Sequence, residues 1–300
     1  MKIQSYSPIY KKADFAKNFT FGWYPNDTLY PKHKNPEKDF SNYTNDIKSY
    51  TELVRNPVVF EMLPKYLELY YPDGAVIYDY ACSVGHEPCS LVMSLFNYFP
   101  QEEAQKYLPI KAIDLREDII ETAKKHSIKI DKNEMLKLTN IFKNIDLEDY
   151  LTIEPNSRYA GYGKTFKLTE KLSDNINFQT GDIFADLKDN ELSKKPCIVL
   201  FRNSWQYLSP DGAQNLTKLL AEKLPDGSTL IVGDKDIYDA NVKNLLKKVG
   251  FKPTLFGAKS AEELNKEPYF RVDPYGIQHK YLLGDYCFKL QKGGLCKIQK

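Results

Sequence analysis

The stretch "DYACSVGHEPCSL", from Asp79 to Leu91, directly follows an apolar run at residues 76–78. A short apolar run that ends in small residues and one glycine, Gly85, is typical of a buried strand that turns sharply into a helix. Pro88 stands in the first turn of that predicted helix, a position that proline favours. In an open α/β sheet such turns lie at the carboxyl edge of the strands, where ligands bind. The stretch therefore predicts a site for a nucleotide-like ligand.

Similar strand and helix patterns alternate through much of the chain. The predicted strands are Val76 to Tyr80, Ile110 to Asp114, Ile176 to Thr180, Cys197 to Phe201 and Ser228 to Gly233. Predicted helices follow Pro57, Pro88 and Ser209, with one more around Val242. Pro64 is expected to break or kink the first of these helices. The alternation indicates an α/β fold, in which helices cover both faces of a doubly wound, mostly parallel sheet.

Two regions depart from this alternation. Residues from about 130 to 175 include "SRYAGYGKTFKL", in which Gly161 and Gly163 with flanking aromatic residues predict a hairpin. We therefore expect a small antiparallel subdomain inserted between the second and third main strands. Residues 1–48 show weak periodicity and are predicted to form an irregular or partly helical arm. Residues 49–300 are predicted to form one domain.

Composition excludes several classes of function. The 42 Lys and Arg residues nearly balance the 40 Asp and Glu residues, so neither nucleic-acid binding nor membrane insertion is expected. No apolar run approaches the length of a membrane span. The five cysteines and four histidines have no metal-ligand spacing, so we expect no metal site and reduced thiols in a cytoplasmic protein. The sequence does not indicate an oligomeric state.

The residues at the predicted strand ends suggest the chemistry of the ligand. Ala81 and Ser83 stand where a dinucleotide fingerprint has glycines, which disfavours a pyrophosphate, although the small Cys82 and Gly85 still permit close approach of a ligand. Asp114 ends the second strand, where a carboxylate can accept hydrogen bonds from both hydroxyls of a ribose. Asp114 could instead cap a helix that begins at the next residue.

Further polar residues follow the next two predicted strands. Asp182 follows the third strand, where it could bind an adenine amino group, and Arg202 and Asn203 follow the fourth. A nucleoside without pyrophosphate, surrounded by several acids, predicts a cationic nucleoside. S-adenosylmethionine has this chemistry.

Four segments resemble CheR-type methyltransferases, which methylate glutamates on chemotaxis receptors. In chain order they are "SYTELVRNPVVFEMLP", "DYACSVGHEPCSLVMSL", "INFQTGDI" and "CIVLFRNSWQYLSPDGAQNLTKLLAEKLPDGSTLIVGDKD". The resemblance extends from about Ser49 to Asp236. It implies a class I, Rossmann-like methyltransferase fold with an inserted antiparallel subdomain that docks on receptors.

The resemblance also implies roles for individual residues. Those that would line the cofactor pocket are Thr51, Arg55, Glu87, Asp114, Asp182, Ile183 and Asn203. Arg55 and Tyr207 would lie nearest the transferred methyl group and are the candidate catalytic residues. Simpler interpretations remain open: Glu87 as a first-turn acid facing the helix dipole, Arg55 as a solvated residue, and Tyr207 as a packing residue.

The resemblance predicts an S-adenosylmethionine-dependent methyltransferase that O-methylates a carboxylate, on a protein glutamate or a similar group. A carboxylate with an ordinary pKa of about 4.3 is ionised at neutral pH, so its methylation needs no general base. The absence of an evident Ser-His or Cys-His pair fits this chemistry. Two alternatives stay open: a methyltransferase of the same fold that acts on a small molecule, and a non-catalytic module that binds the cofactor or a protein partner.

Overall fold

The computed structural model describes residues 51–155, 163–189, 192–233, 236, 242–254, 269–272, 278–281 and 287–292. The predicted N-terminal arm, residues 1–48, lies outside these ranges. The strands are β1 Ile77–Tyr80, β2 Ile110–Asp114, β3 Ser127–Ile130, β4 Leu151–Ile153, β5 Lys164–Leu168, β6 Ile176–Thr180, β7 Ile198–Phe201, β8 Thr229–Ile231, β9 Phe251–Pro253, β10 Tyr269–Val272, β11 Gln278–Tyr281 and β12 Cys287–Leu290. The α-helices are α1 Pro57–Tyr70, α2 His86–Tyr98, α3 Gln101–Ala104, α4 Glu117–Ala123, α5 Lys132–Ile141, α6 Glu170–Ser173, α7 Ile183–Lys188, α8 Pro210–Lys223 and α9 Val242–Lys248.

A seven-stranded sheet with the order β6-β2-β1-β7-β8-β12-β9 forms the centre of the molecule. The first five strands are parallel, and β12 runs antiparallel to both of its neighbours. On one side of β1 lie β2 and then β6, and on its other side lie β7 and then β8. The direction in which the strands are added along the chain therefore reverses between β1 and β7. This is the doubly wound, class I methyltransferase architecture that was predicted, and a ligand is expected at the carboxyl ends of these two strands.

Both faces of the sheet are covered, which explains why its central strands read as continuous apolar runs. All four residues of β1 and all four of β7 are buried. Helices α1 and α2 pack with the inserted subdomain in one hydrophobic cluster, and α7, α8 and α9 pack in a second one. No helix in the described ranges has both the length and the apolar character that crossing a bilayer requires.

The sequence predicted a break or a kink at Pro64; helix α1 continues through Pro64, so the break does not occur. Proline lacks the N–H that would bond the carbonyl four residues earlier, which belongs to Phe60. The hydroxyl of Ser94, on α2, donates a hydrogen bond to that carbonyl instead. A neighbouring helix therefore satisfies the group that Pro64 leaves without its usual partner.

The predicted insertion contains a three-stranded antiparallel sheet with the order β3-β5-β4. The hairpin expected around Gly163 is confirmed by the pairing of β4 with β5, although residues 156–162 lie outside the described ranges. The first strand begins at Ser127, slightly before the predicted start of the insertion. Helix α5 lies in the same insertion and begins with a capping box between Asp131 and Glu134.

Gly85 gives a first testable prediction. Its φ is +97°, and a Cβ built on it would lie 2.8 Å from Cζ of the buried Phe178 on β6. Gly227 has a φ of +82° but no atom closer than 3.8 Å to such a Cβ, so it is the matched control. We expect Gly227→Ala to cost about 1 kcal/mol from backbone strain alone. Gly85→Ala should cost about 1–2 kcal/mol more, because it also overpacks the helix against the sheet.

Urea denaturation of the two variants measures this difference in the free energy of unfolding. Equal losses for Gly85→Ala and Gly227→Ala would mean that the contact with Phe178 relaxes freely.

Candidate active site

A cleft opens at the carboxyl ends of β1, β2, β6 and β7, where the strand order reverses. It encloses about 940 Å³, its open mouth included. The segment before α1 and the turns that follow β1, β2, β6 and β7 form its wall. The lining residues are Thr51, Glu52, Arg55, Tyr80, Ala81, Ser83, Glu87, Asp114, Leu115, Arg116, Ile119, Gly181, Ile183, Phe201, Arg202, Asn203, Ser204 and Tyr207.

The cleft brings together most of the residues that the sequence singled out. Those that line it are Thr51, Arg55, Glu87, Asp114, Ile183, Arg202, Asn203 and Tyr207. Cys82, Gly85 and Asp182 are not among the lining residues. Cys82 is buried beneath the turn, and Asp182 caps α7 by accepting a hydrogen bond from the N–H of Phe184 at 3.1 Å. Cofactor contact by these three residues stays a prediction.

Sequence reasoning did not select several lining residues that flank the selected ones. Glu52 follows Thr51, Leu115 and Arg116 follow Asp114, and Ser204 follows Asn203. For Leu115, Arg116 and Ser204 the signal that could have found them is position, since residues just beyond the carboxyl end of a parallel strand share one edge of the sheet. Their ordinary composition gave no further signal.

A buried ion pair forms the floor of the cleft. Arg202 Nη1 lies 2.7 Å from Glu87 Oε2, and the Arg202 side chain is 0% exposed. Arg202 Nη2 also donates to the backbone oxygen of Arg55 at 2.7 Å and to Asn56 Oδ1 at 2.9 Å. Arg202 therefore holds the helix that follows β1 and the segment before α1 in one arrangement.

Asp79, at the third position of β1, adds a second carboxyl to this ion pair. Its side chain is fully buried, and burial raises its pKa well above the ordinary value, with the charge of Glu87 acting in the same direction and that of Arg202 opposing it. Asp79 Oδ2 and Glu87 Oε1 are buried and make no hydrogen bond within the described residues. A carboxyl that keeps its proton can donate it to a neighbouring carboxylate, so the raised pKa of Asp79 accounts for both oxygens.

Asp114 ties the turn after β1 to the turn after β2. Its Oδ2 accepts from the N–H of Ser83 at 2.9 Å, and its Oδ1 accepts from the N–H of Arg116 at 3.0 Å. The following helix begins at Glu117 with Arg116 as its N-cap, so the alternative in which Asp114 caps a helix beginning at Leu115 is wrong. Burial raises the pKa of Asp114, and the two N–H donors oppose the rise. Each oxygen keeps a lone pair for a further donor.

Asp236 fixes the turn after β7, and sequence reasoning did not select it. Its fully buried carboxyl accepts from the N–H groups of Asn203, Trp205 and Gly233. Asn203 has a left-handed φ of 55° and packs so closely on Gly233 that a Cβ there would lie 2.5 Å from its amide. These contacts determine how Asn203 faces the cleft.

The two candidate catalytic residues lie on the same cleft. Arg55 and Tyr207 are half-buried and both line the cleft. Burial raises the pKa of Tyr207, while the positive charge of Arg55 acts to lower it. The fold therefore joins two residues that lie far apart in the sequence.

The described residues include no group of three or more His, Cys, Asp or Glu side chains that could hold a metal ion. Cys82, Cys89, Cys197 and Cys287 are buried free thiols, and Cys296 lies outside the described ranges.

Asp236 leads to a prediction about pH. Burial raises its pKa to about 7. Because the native carboxyl keeps its proton to a higher pH than the unfolded one, its stabilising contribution is complete below about pH 4 and is lost as the pH rises through about 7. We expect Asp236→Asn to reduce the fall in the free energy of unfolding between these values by up to about 4 kcal/mol, since each pKa unit corresponds to about 1.4 kcal/mol.

Urea denaturation at several pH values tests this expectation, with the exposed Asp226→Asn as the control. A pH profile of Asp236→Asn that matches the parent would assign the fall to other carboxyls.

The sheet order and the cleft at its reversal point are those of the class I methyltransferase fold. The chain also matches the family model described as "CheR methyltransferase, SAM binding domain" over residues 49–254. Because this match covers more than half of the 300 residues, the chain belongs to the CheR methyltransferase family. It is an S-adenosylmethionine-dependent methyltransferase, and S-adenosylmethionine is its cofactor. The predicted family and cofactor are confirmed.

Among solved structures, similar chains have low sequence identity. The magnesium protoporphyrin IX methyltransferase of Synechocystis PCC 6803, solved with bound S-adenosylmethionine, is 13% identical over 78% of each chain, with a TM-score of 0.35. Human N-acetylserotonin methyltransferase, in complex with S-adenosylmethionine, is 13% identical over 78% of this chain and 51% of its own, with a TM-score of 0.35. No curated protein sequence matches significantly. These values are too low to transfer a substrate from either protein.

Proposed function

We propose that this methyltransferase O-methylates a carboxylate, on a protein glutamate or a similar group. The observation that carries the proposal is that Arg55 and Tyr207 line the same cleft. A guanidinium can hold a carboxylate through two parallel hydrogen bonds. The cleft thus has a group suited to a carboxylate acceptor and also a phenol that can donate a further hydrogen bond.

In this proposal the walls of the cleft hold the cofactor. Asp114 accepts hydrogen bonds from the ribose hydroxyls, and the cleft-lining carboxylate of Glu87 faces the positive charge of the cofactor. Further contacts come from Thr51, Ile183 and Asn203. Cofactor contact is proposed as well for Cys82, Gly85, Asp182 and Arg202, of which Arg202 lines the cleft and also holds Glu87.

S-adenosylmethionine supplies an electrophilic methyl group on a sulfonium sulfur. Arg55 orients the acceptor carboxylate, and Tyr207 donates a hydrogen bond near the reacting oxygen. Because the acceptor is already ionised at neutral pH, no side chain has to remove a proton. Holding both reactants in a near-attack geometry can contribute up to roughly 7–11 kcal/mol, so positioning is the main task of these residues.

The edge of the inserted sheet supports a protein acceptor. Strand β4 forms one edge, Thr152 and Ile153 on it are exposed, and no other described strand pairs beyond it. An exposed edge offers N–H and C=O groups to an extended segment of another chain. A lid closed over the cleft would instead favour a small molecule carrying a carboxylate, which remains the second candidate.

Transfer of a labelled methyl group to a cell lysate tests the proposal and separates its alternatives. Alkali-labile label on a protein indicates a methyl ester, whereas label stable in base indicates an N-methyl group. Label on a small molecule would support the second candidate. Binding of S-adenosylmethionine without any transfer would support a non-catalytic module.

Arg55→Lys and Tyr207→Phe should slow turnover far more than they weaken cofactor binding. Arg55→Lys keeps the charge but loses the planar fork, which should reduce kcat/KM by about 10–100-fold. Tyr207→Phe removes one hydroxyl and should cost about fivefold. Initial rates measure both effects, and calorimetry measures cofactor affinity. Arg116→Lys, at another arginine of the cleft, is the control. Parental rates for the first two variants would place the acceptor elsewhere.

A further inference from the structure

Residues 51–56, called the strap here, form one wall of the cleft without belonging to a helix or strand. Thr51, Glu52 and Arg55 face the cleft, whereas Leu53 and Val54 are 0% exposed. The strap therefore lies between the cleft and the protein interior. Its position determines where Thr51 and Arg55 stand relative to any bound ligand.

The backbone of the strap has to be held in place from outside. Val54 and Asn56 both have left-handed φ values, of 54° and 57°, which residues with a side chain rarely adopt. Such a conformation persists only where surrounding contacts enforce it. Arg202 bonds to the end of the strap, and Ser90 Oγ accepts from the N–H of Val54 at 3.0 Å. These two contacts come from the main domain.

A third contact comes from the inserted subdomain. Glu134, in the first turn of α5, is a buried carboxyl whose Oε1 accepts from the N–H of Leu53 at 2.8 Å. Its Oε2 accepts from the N–H of Asp131 at 2.9 Å, which completes the capping box. One turn further along, Lys137 Nζ lies 3.2 Å from Glu52 Oε1. One helix thus bonds both a buried amide and a cleft-lining side chain of the strap.

We propose that Glu134 is a positioning residue: it holds the strap against the cleft and so couples the inserted subdomain to ligand binding. The coupling requires that the cofactor bind in the cleft, and it does not depend on which acceptor is methylated. By linkage, a ligand that favours the held strap also stabilises the start of α5. A partner that moves α5 would change the affinity for the cofactor by the same factor by which the cofactor changes the affinity for that partner.

Two substitutions separate this role from simple stabilisation of α5. Glu134→Ala removes the bond to Leu53 together with its half of the capping box. Asp131→Ala removes the other half, in which Asp131 Oδ1 accepts from the N–H of Glu134 at 2.7 Å, and leaves the bond to Leu53 in place. Both variants weaken the same helix start, but only the first releases the strap.

Amide hydrogen exchange and calorimetry with S-adenosylhomocysteine, the demethylated cofactor, measure the effect. In Glu134→Ala we expect about 10-fold faster exchange or more in the peptide containing Leu53, and about 3–30-fold weaker binding. Asp131→Ala should match the parent in both. Ligand should also slow exchange at the start of α5 in the parent and do so less in Glu134→Ala.

Parental exchange and affinity in Glu134→Ala would overturn the proposal. Equal losses in Asp131→Ala and Glu134→Ala would also overturn it, because they would show that loosening α5 suffices. Neither measurement needs an acceptor, so failure of the proposed carboxylate chemistry would leave these results unaffected.

Discussion

Replacing Arg202 with methionine should lower the free energy of unfolding by about 3–5 kcal/mol, the largest stability effect that we expect from one side chain. The Arg202 side chain is 0% exposed and faces Glu87, with Asp79 buried next to it. Without the guanidinium, two carboxyls share a buried site with no compensating charge, and the strap loses two hydrogen bonds. Methionine fills similar space, so the loss reports charge and hydrogen bonding more than volume.

A double-mutant cycle shows whether the ion pair carries this effect. Glu87→Gln in the Arg202→Met background removes the uncompensated charge and should recover part of the loss. Urea denaturation of the parent, both single variants and the double variant supplies the four free energies. Strictly additive losses would mean that Arg202 acts through its bonds to the strap and not through Glu87.

Asp114→Ala should weaken S-adenosylmethionine binding by about 100-fold or more, the largest effect on affinity that we expect. Two hydrogen bonds from ribose hydroxyls to an ionised acceptor contribute about 1.5–3 kcal/mol each. The same carboxyl also holds the N–H groups of Ser83 and Arg116, so part of the loss comes from the turn. Asp114→Asn keeps one acceptor oxygen and should lose less.

Calorimetry measures these affinities, and thermal unfolding without ligand measures how far the turn loosens. Asp118→Ala is the matched control, because Asp118 pairs with Arg116 on the same helix start and is more exposed. Parental affinity in Asp114→Ala would confine Asp114 to fixing the two turns.

The strands and helices of the sheet could be predicted from the sequence because a local pattern marks each of them. Buried parallel strands are short apolar runs, and the amphipathic helices between them repeat at a different period, so each element is visible without its neighbours. The turn after β1 was visible for the same reason. The hairpin of the insertion was marked by its glycines.

The residues that were missed depend on contacts between distant parts of the chain. Glu134 bonds the N–H of Leu53 across 81 positions, and Asp236 bonds that of Asn203 across 33. The residues next to a carboxyl in the sequence do not show whether that carboxyl accepts backbone N–H groups or faces solvent. Asp79 was part of the quoted stretch, yet nothing local distinguishes it from an ordinary polar residue at a strand position. Only the folded arrangement identifies these three.

The bonds from Arg202 to the strap also bear on the order in which the protein is made. They join residues 147 and 146 positions apart, so the strap leaves the ribosome long before its anchor does. Until β7 and the arginine after it have been synthesised, nothing on that side can hold the left-handed backbone of Val54 and Asn56. A nascent chain that ends before residue 202 is therefore expected to lack a finished cleft, and capture of the cofactor should come late in synthesis.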